Sequence, residues 1–135
     1  MSEQKNLEIA NQFLAKLGAG APPEEIAELF SADLDWHIPG DDGVLPWIGH
    51  KSGRIAVADF IRDTGEMIER LGLEIHEVLA SDDRAIIFGE LATRTKNTGK
   101  TIDTAFAIVL TVSDDEIIRF LMLEDSFAVA AAARS

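Results

Sequence analysis

The sequence predicts a single α+β domain in which helices pack on one face of a curved, mostly antiparallel sheet. Apolar residues recur every three or four positions in the first half of the chain, whereas apolar and polar residues alternate in the second half. Helices followed by hairpin-connected strands are typical of the α+β class. The chain has 135 residues, of which 47% are hydrophobic, so one core can form and we expect one domain over residues 1–135.

Three helices are predicted in the first half of the chain. An apolar stripe from Leu7 to Leu17 predicts the first helix, which ends at Gly18. Pro23 suits the first position of a short second helix, because the N–H that proline lacks would be unpaired there anyway. Ser52 can cap the third helix, whose apolar positions continue from Val57 to Leu71.

The strands are predicted from two-residue alternation and from the turn residues between them. Asp33 to Ile38 reads as the first strand, and the Gly- and Pro-rich stretch after it predicts a long loop that carries Trp47 and His50. Four strands joined by hairpins follow, at Leu73–Ala80, Arg84–Thr95, Thr101–Val112 and Ile117–Asp125. Phe127 to Ala133 predicts a last helical turn or a tail. Helices on one side of such a curved sheet leave a cone-like cavity.

The middle strands are apolar on both faces. Ile86 and Phe88 alternate with Ile87 and Leu91, so both faces of the sheet are expected to be covered. Because the helices can cover only one face, we predict a homodimer that pairs through the open face of the sheet.

Charge and composition exclude several classes of partner and cofactor. The formal charge of −12 argues against binding nucleic acid or an anionic membrane. Cysteine is absent, the histidine spacing matches no metal pattern, and no glycine-rich phosphate loop occurs, so we expect neither a metal nor another cofactor. The chain shows neither a signal pattern nor an apolar run near the ~18 residues of a membrane span, which suits a cytoplasmic protein.

Two residues are the candidates for catalysis. His37 ends the first strand beside the long loop, where it can face the cavity mouth and act as a base near neutral pH. A half-buried, hydrogen-bonded strand histidine is the alternative. Asp125 ends the last strand and can orient His37 or act as the base itself, with a pKa raised by apolar surroundings. Its alternative role is to cap the C-terminal helical turn.

Other polar side chains have supporting roles in this hypothesis. Glu90 shares a strand face with Arg94, which an ion pair would explain. Asp103 lies among small residues that leave room for a ligand or a facing subunit, and Arg119 shares the strand face of Asp125.

The candidate ligand-binding residues are mostly aromatic. Trp47 in the loop covers a pocket or packs the loop onto the body of the protein, and His50 closes the site or is exposed. Apolar stripe residues would form either core or cavity wall, namely Phe13, Phe60, Phe106 and Met122. A small hydrophobic molecule is therefore the expected partner.

Short motifs span nearly the whole chain. They are Trp36-His-Ile-Pro-Gly40, Pro46-Trp-Ile-Gly49, Gly53 to Phe60, and Glu116 to Phe120 with Glu124-Asp-Ser126. These motifs resemble the nuclear transport factor 2-like superfamily, which includes the ketosteroid isomerases and the SnoaL-like polyketide cyclases. The resemblance implies a cone-shaped α+β barrel with three helices on a curved sheet and an internal pocket.

The same resemblance implies roles for individual residues. The general base of the isomerases falls at His37, where the family usually has an acid, and the acid/base aspartate of the cyclases falls at Asp125. The isomerases also use a tyrosine from the first helix; this chain has no tyrosine, and Phe13 is the nearest aromatic residue. Limonene epoxide hydrolase shares the fold, and its Asp-Arg-Asp set matches Asp103, Arg119 and Asp125 only loosely.

The leading functional hypothesis is a cofactor-independent isomerase or cyclase that moves protons on a small hydrophobic carbonyl compound. His37 and Asp125 would share proton abstraction and return. A non-catalytic module that binds a hydrophobic ligand and a protein-interaction dimer with a filled cone are the alternatives, and an epoxide hydrolase is a weaker one.

Overall fold

The computed structural model describes residues 3–134 as one layer of helices on one sheet. The helices are α1 (Glu3–Ala19), α2 (Pro23–Ala27), α3 (Ile55–Met67) and α4 (Ser126–Ala133). The strands are β1 (Phe30–Ile38), β2 (Gly49–Ser52), β3 (Ile68–Ala80), β4 (Arg84–Thr95), β5 (Thr101–Ser113) and β6 (Glu116–Glu124). The predicted α+β cone is confirmed, with four helices rather than the three expected.

The sheet has six strands in the order β2-β1-β6-β5-β4-β3. Strands β1 and β6 are parallel, and all other neighbours are antiparallel, so the sheet is mixed and its two outer strands do not pair to close it. Helix α1 contacts β3 and β4, and α3 contacts β3, which places these helices over the concave face. The space between helices and sheet is the cavity described below.

The β5–β6 hairpin turns on two consecutive aspartates. Asp114 and Asp115 have φ values of 52° and 65°, and Ser113 pairs with Glu116 on either side of them. Two successive residues with positive φ form the tight turn whose twist matches that of the flanking strands. This turn fixes the register of β6 and therefore the face on which each of its side chains lies.

An aromatic cluster packs α1 against strands β1 and β6. Trp36 stacks on Phe120 with ring centroids 4.2 Å apart, and Phe13 packs edge-on against Phe30 at 5.7 Å. Trp36, Phe13, Phe30 and Phe120 are all fully buried. Such rings contribute large buried areas and favour stacked or edge-to-face pairs. Trp36 therefore lies in the core, as its position opposite His37 on the strand predicts.

Three local predictions are corrected by the structure. The third helix ends at Met67 rather than Leu71, because Ile68 already pairs with Thr95 as the first residue of β3. Ser52 belongs to β2, a short strand within the predicted loop, and does not cap α3. The last strand ends at Glu124, one residue earlier than expected.

The two faces of the sheet differ in what covers them. On β4, Ala85, Ile87 and Thr93 are buried beneath the helices, whereas Ile86 and Phe88 are exposed on the opposite, outer face. Alternation along the strands thus separates a cavity face from an outer face. Within residues 3–134, none of the helices combines the length and the apolar character needed to cross a membrane.

Candidate active site

An apolar cavity of about 400 Å³ lies between the helices and the concave face of the sheet. Its walls come from α1, α3, the long loop and strands β3 to β6. Most of these wall residues are aliphatic or aromatic, and the volume is within the usual range for small-molecule sites. The cone is therefore not filled by side chains.

Glu124 supplies a carboxyl group to this cavity. It is the last residue of β6, and alternation places it on the same face as Phe120 and Met122, which also line the cavity. Within residues 3–134, its carboxyl oxygens have neither a hydrogen-bond nor an ion-pair partner. Burial disfavours the charged form and raises the pKa of Glu124 from 4.5 to about 7. Both protonation states are therefore populated near neutral pH.

Trp47 forms part of the wall and is held in place through its backbone. The Trp36 indole N–H donates to the Trp47 carbonyl oxygen at 3.2 Å, and the Trp47 ring packs edge-on against Phe60 with centroids 6.0 Å apart. Trp47 is only 7% exposed, and its own indole N–H has no acceptor among residues 3–134. Trp47 therefore brings an unused hydrogen-bond donor to the residues that line the cavity.

The mouth of the cavity is marked by its solvent-exposed lining residues. Gly20 follows α1, Gly65 lies near the end of α3, and Arg70, Gly72 and Leu73 belong to the start of β3. Arg70 pairs with Thr93 in the β3–β4 register, and directly paired residues of antiparallel strands project to the same face. Arg70 therefore projects to the cavity face.

His37 and His50 lie on the outer face of the sheet, outside the cavity. They are paired in the β1–β2 register, and their rings stack with centroids 4.7 Å apart. His50 Nε2 is 2.6 Å from an Asp35 carboxylate oxygen. The expected orientation of His37 toward the cavity mouth is wrong, because the buried Trp36 next to it occupies the inner face.

Asp125 does not share the cavity with Glu124. Its carboxylate accepts the Ala128 backbone N–H at 3.0 Å and caps α4. This is the helix-capping alternative considered above. Asp125 and His37 are not brought together, so the expected pairing of the two is not found in the structure.

The three supporting polar candidates also lie on the outer face. Glu90 is 3.0 Å from His76 rather than paired with Arg94, whose guanidinium donates to Glu69 at 3.1 Å. Arg119 lies 3.5 Å from an Asp35 oxygen, and Asp103 is exposed on the outer side of β5. None of the three reaches the cavity.

The apolar residues predicted to bind a ligand lie in the cavity wall. Its lining includes Phe13, Trp47, Phe60, Phe106 and Met122. The sequence analysis did not select Glu124 as a site residue. Its position nevertheless indicated a role, because Glu124 is two residues from Met122 and four from Phe120 and so shares their strand face. The missing information was which face of β6 the helices cover.

The sequence matches a known protein family over most of its length. A family model described as a SnoaL-like domain matches residues 10–120. The chain belongs to the SnoaL-like domain family. A search of curated proteins gives no significant match to this SnoaL-like protein.

Solved structures share the whole architecture. A nuclear transport factor 2-like protein from Burkholderia xenovorans is 28% identical, with 99% of both chains covered and a TM-score of 0.88. A nuclear transport factor 2-like protein from Burkholderia thailandensis (19% identical, 100% of both chains, TM-score 0.83) has the same fold. So does a protein from Catenulispora acidiphila with a ketosteroid isomerase-like fold, solved with trimethylamine (21% identical, 93% and 92% covered, TM-score 0.72).

Proposed function

We propose that this SnoaL-like protein is an isomerase or cyclase that needs no cofactor and moves protons on a small hydrophobic carbonyl compound, with Glu124 as the proton-transfer group. The observation that carries the proposal is an unpartnered carboxyl group, with a pKa of about 7, in an otherwise apolar cavity. A general acid–base group works best when its pKa lies near the working pH.

The chemistry follows from the two protonation states of Glu124. The carboxylate takes a proton from the carbon beside the substrate carbonyl, and the C–H electron pair becomes the C=C bond of an enolate. In the isomerisation of a β,γ-unsaturated substrate, the existing C=C bond extends the enolate to a dienolate, and the protonated Glu124 returns the proton to the γ-carbon while the C=C bond moves next to the carbonyl. In a cyclisation, the enolate carbon instead attacks a second carbonyl, and Glu124 protonates the resulting alkoxide.

The enolate oxygen needs a hydrogen-bond donor. Trp47 belongs to the cavity wall, and its indole N–H is unpaired among residues 3–134. A donor in a largely apolar site stabilises developing negative charge more strongly than one in water. Trp47 therefore stabilises the enolate in place of a tyrosine hydroxyl, since this chain contains no tyrosine.

A passive ligand-binding module is the second candidate, and the apolar wall of the cavity favours it. Such a module would bind without using the basicity of Glu124. An epoxide hydrolase of the Asp-Arg-Asp type gains no support, because Asp103, Arg119 and Asp125 do not line the cavity.

The test is proton exchange at an enolisable probe. 2-Tetralone is apolar, carries acidic C–H groups beside its carbonyl and is smaller than the cavity. Loss of these protons in D₂O is followed by NMR for wild type, Glu124→Gln and the matched control Glu77→Gln, which removes an exposed carboxylate from β3. We expect acceleration by wild type and by the control, and a loss of about a hundredfold in Glu124→Gln.

The pH profile adds a second criterion. Exchange by wild type should rise with pH and level off above about 7, because only the ionised Glu124 is a base. Binding of 2-tetralone without acceleration by any form would support the passive module instead. Equal losses in Glu124→Gln and Glu77→Gln would overturn the role of Glu124.

A further inference from the structure

Arg70 is an unpaired cation at the mouth of the cavity. Within residues 3–134, most lysines and arginines have an ion-pair or hydrogen-bond partner, and the exceptions are Lys51, Arg70 and Arg84. Of these three, Arg70 lines the cavity. Glu69, the residue before it, projects to the outer face and binds Arg94, so it does not neutralise Arg70.

Thr93 places a second unused donor beside Arg70. It is directly opposite Arg70 in the β3–β4 register, it lines the cavity, and it is only 8% exposed. Its hydroxyl has no hydrogen-bond partner within the described part of the chain. Among residues 3–134, Thr95 Oγ1 is the side-chain polar atom that is both fully buried and without a hydrogen-bond partner. The unpaired Thr93 hydroxyl is not fully buried, and since Thr93 lines the cavity, this hydroxyl is reachable from the cavity.

The Arg70–Thr93 pair and Glu124 lie at different ends of the cavity. Thr93 pairs with Ile102 of β5, whereas Glu124 pairs with Phe106 of the same strand. Four residues of strand span about 13 Å. A ligand that reaches from Glu124 to the mouth therefore presents its far end to a guanidinium and a hydroxyl, which together suit the oxygens of an anion.

We propose that Arg70 and Thr93 form an anion-recognition site at the cavity mouth, and that the ligand is an apolar carbonyl compound with a carboxylate or similar anion at the end remote from its reacting carbon. The inference rests on the proposed function for the position of the reacting carbon. The protein's charge of −12 repels anions at a distance, so this local cation is needed to admit one.

A pair of fluorescent probes tests the site without any reaction. 8-Anilino-1-naphthalenesulfonate and N-phenyl-1-naphthylamine share their apolar rings, and the first carries a sulfonate that the second lacks. Binding of both is titrated below pH 7, where Glu124 is mostly neutral and does not repel the sulfonate. The variants are Arg70→Gln, Thr93→Val and the control Arg84→Gln, which removes an unpaired cation that does not line the cavity.

We expect Arg70→Gln to weaken binding of the sulfonate probe by at least about threefold, which lies in the upper part of the range of effects measured for exposed ion pairs. The affinity for the neutral probe should not change. Thr93→Val should act in the same direction. Raising the salt concentration from about 0.01 to about 1 M should remove the difference between wild type and Arg70→Gln.

Several results would overturn the proposal. Equal weakening of both probes would make Arg70 a structural residue, and unchanged sulfonate binding in Arg70→Gln would exclude an anion site. Failure of wild type to bind the sulfonate probe would also exclude an anion site. The proposed function is judged separately, because 2-tetralone has no anionic group and its exchange depends on Glu124 rather than Arg70.

Discussion

Glu124 and Phe106 face each other across β6 and β5, and both side chains enter the cavity. Direct cross-strand neighbours have Cβ atoms about 5 Å apart, so the phenyl ring of Phe106 helps to keep water from the carboxyl group. Because ionised Glu124 is poorly solvated in these surroundings, its protonation state affects the free energy of unfolding.

Stability should fall as pH rises between about 4.5 and 7. The folded protein binds the Glu124 proton more tightly than the unfolded chain does, because burial raises the folded pKa to about 7. Below 4.5 the group is protonated in both states. Above 7 it is ionised in both states, and the folded state then carries a penalty of up to about 3 kcal/mol, since one pKa unit corresponds to ~1.4 kcal/mol.

Urea unfolding of wild type and Glu124→Gln at several pH values measures this effect. The variant should gain stability over wild type as pH increases through this window, while Glu77→Gln should track wild type. A constant difference between wild type and Glu124→Gln across the window would show that Glu124 has an ordinary pKa.

His37→Ala should leave proton exchange within about threefold of wild type, against the roughly hundredfold expected for a general base. His37 stacks on His50 on the outer face and does not line the cavity. The 2-tetralone assay measures this directly. A hundredfold loss in His37→Ala would restore the role that its position in the sequence predicts.

Asp125 should behave as a helix cap and not as a proton-transfer group. Asp125→Ala should lower the free energy of unfolding by about 1 kcal/mol, because the α4 N-cap bond to Ala128 is lost. Asp125→Asn keeps a good cap and removes the charge, so both stability and exchange should remain. Loss of exchange in Asp125→Asn with intact stability would contradict the assignment.

Gly89→Ala should destabilise the protein by at least about 2 kcal/mol. A Cβ at position 89 would lie 2.2 Å from the backbone oxygen of Glu74, where the β3–β4 register shifts. Gly18→Ala in α1 is the control, since nothing lies within 4 Å of a Cβ there. Thermal unfolding should show a lower Tm for Gly89→Ala only, and equal Tm values would mean that β3 relaxes freely.

The outer sheet face is expected to pair with a second copy of the chain. Leu79, Ile86, Phe88 and Leu123 are 37–55% exposed and lie on β3, β4 and β6 of this face, where Ala107 of β5 connects Phe88 to Leu123. Such a continuous apolar patch favours association. Light scattering after size exclusion should give a dimer for wild type and a monomer for Phe88→Glu, whereas Glu8→Gln, which removes an exposed carboxylate from α1, should remain dimeric. A monomeric wild type at micromolar concentration would contradict the expectation.

Local patterns in the sequence predicted most of the elements and much of the cavity wall, but they did not predict the short strand β2. Helical spacing and strand alternation depend on neighbours a few residues away, so they predicted the order of the longer elements. The same patterns selected candidate lining residues that the structure places in the cavity wall, namely Phe13, Phe60, Phe106 and Met122. They also showed that Trp36 and His37 point to opposite faces of β1. The motifs identified the family to which the chain belongs.

Only the tertiary structure decided which face of each strand the helices cover. That choice places Glu124 inside the cavity while the adjacent Asp125 caps α4, and it leaves His37 outside. The pKa of Glu124 depends on desolvation by residues from distant parts of the chain, such as Phe106 across the hairpin. Alternation divides a strand into two faces, but burial of one face, and the chemistry that burial creates, arises when separate elements pack together.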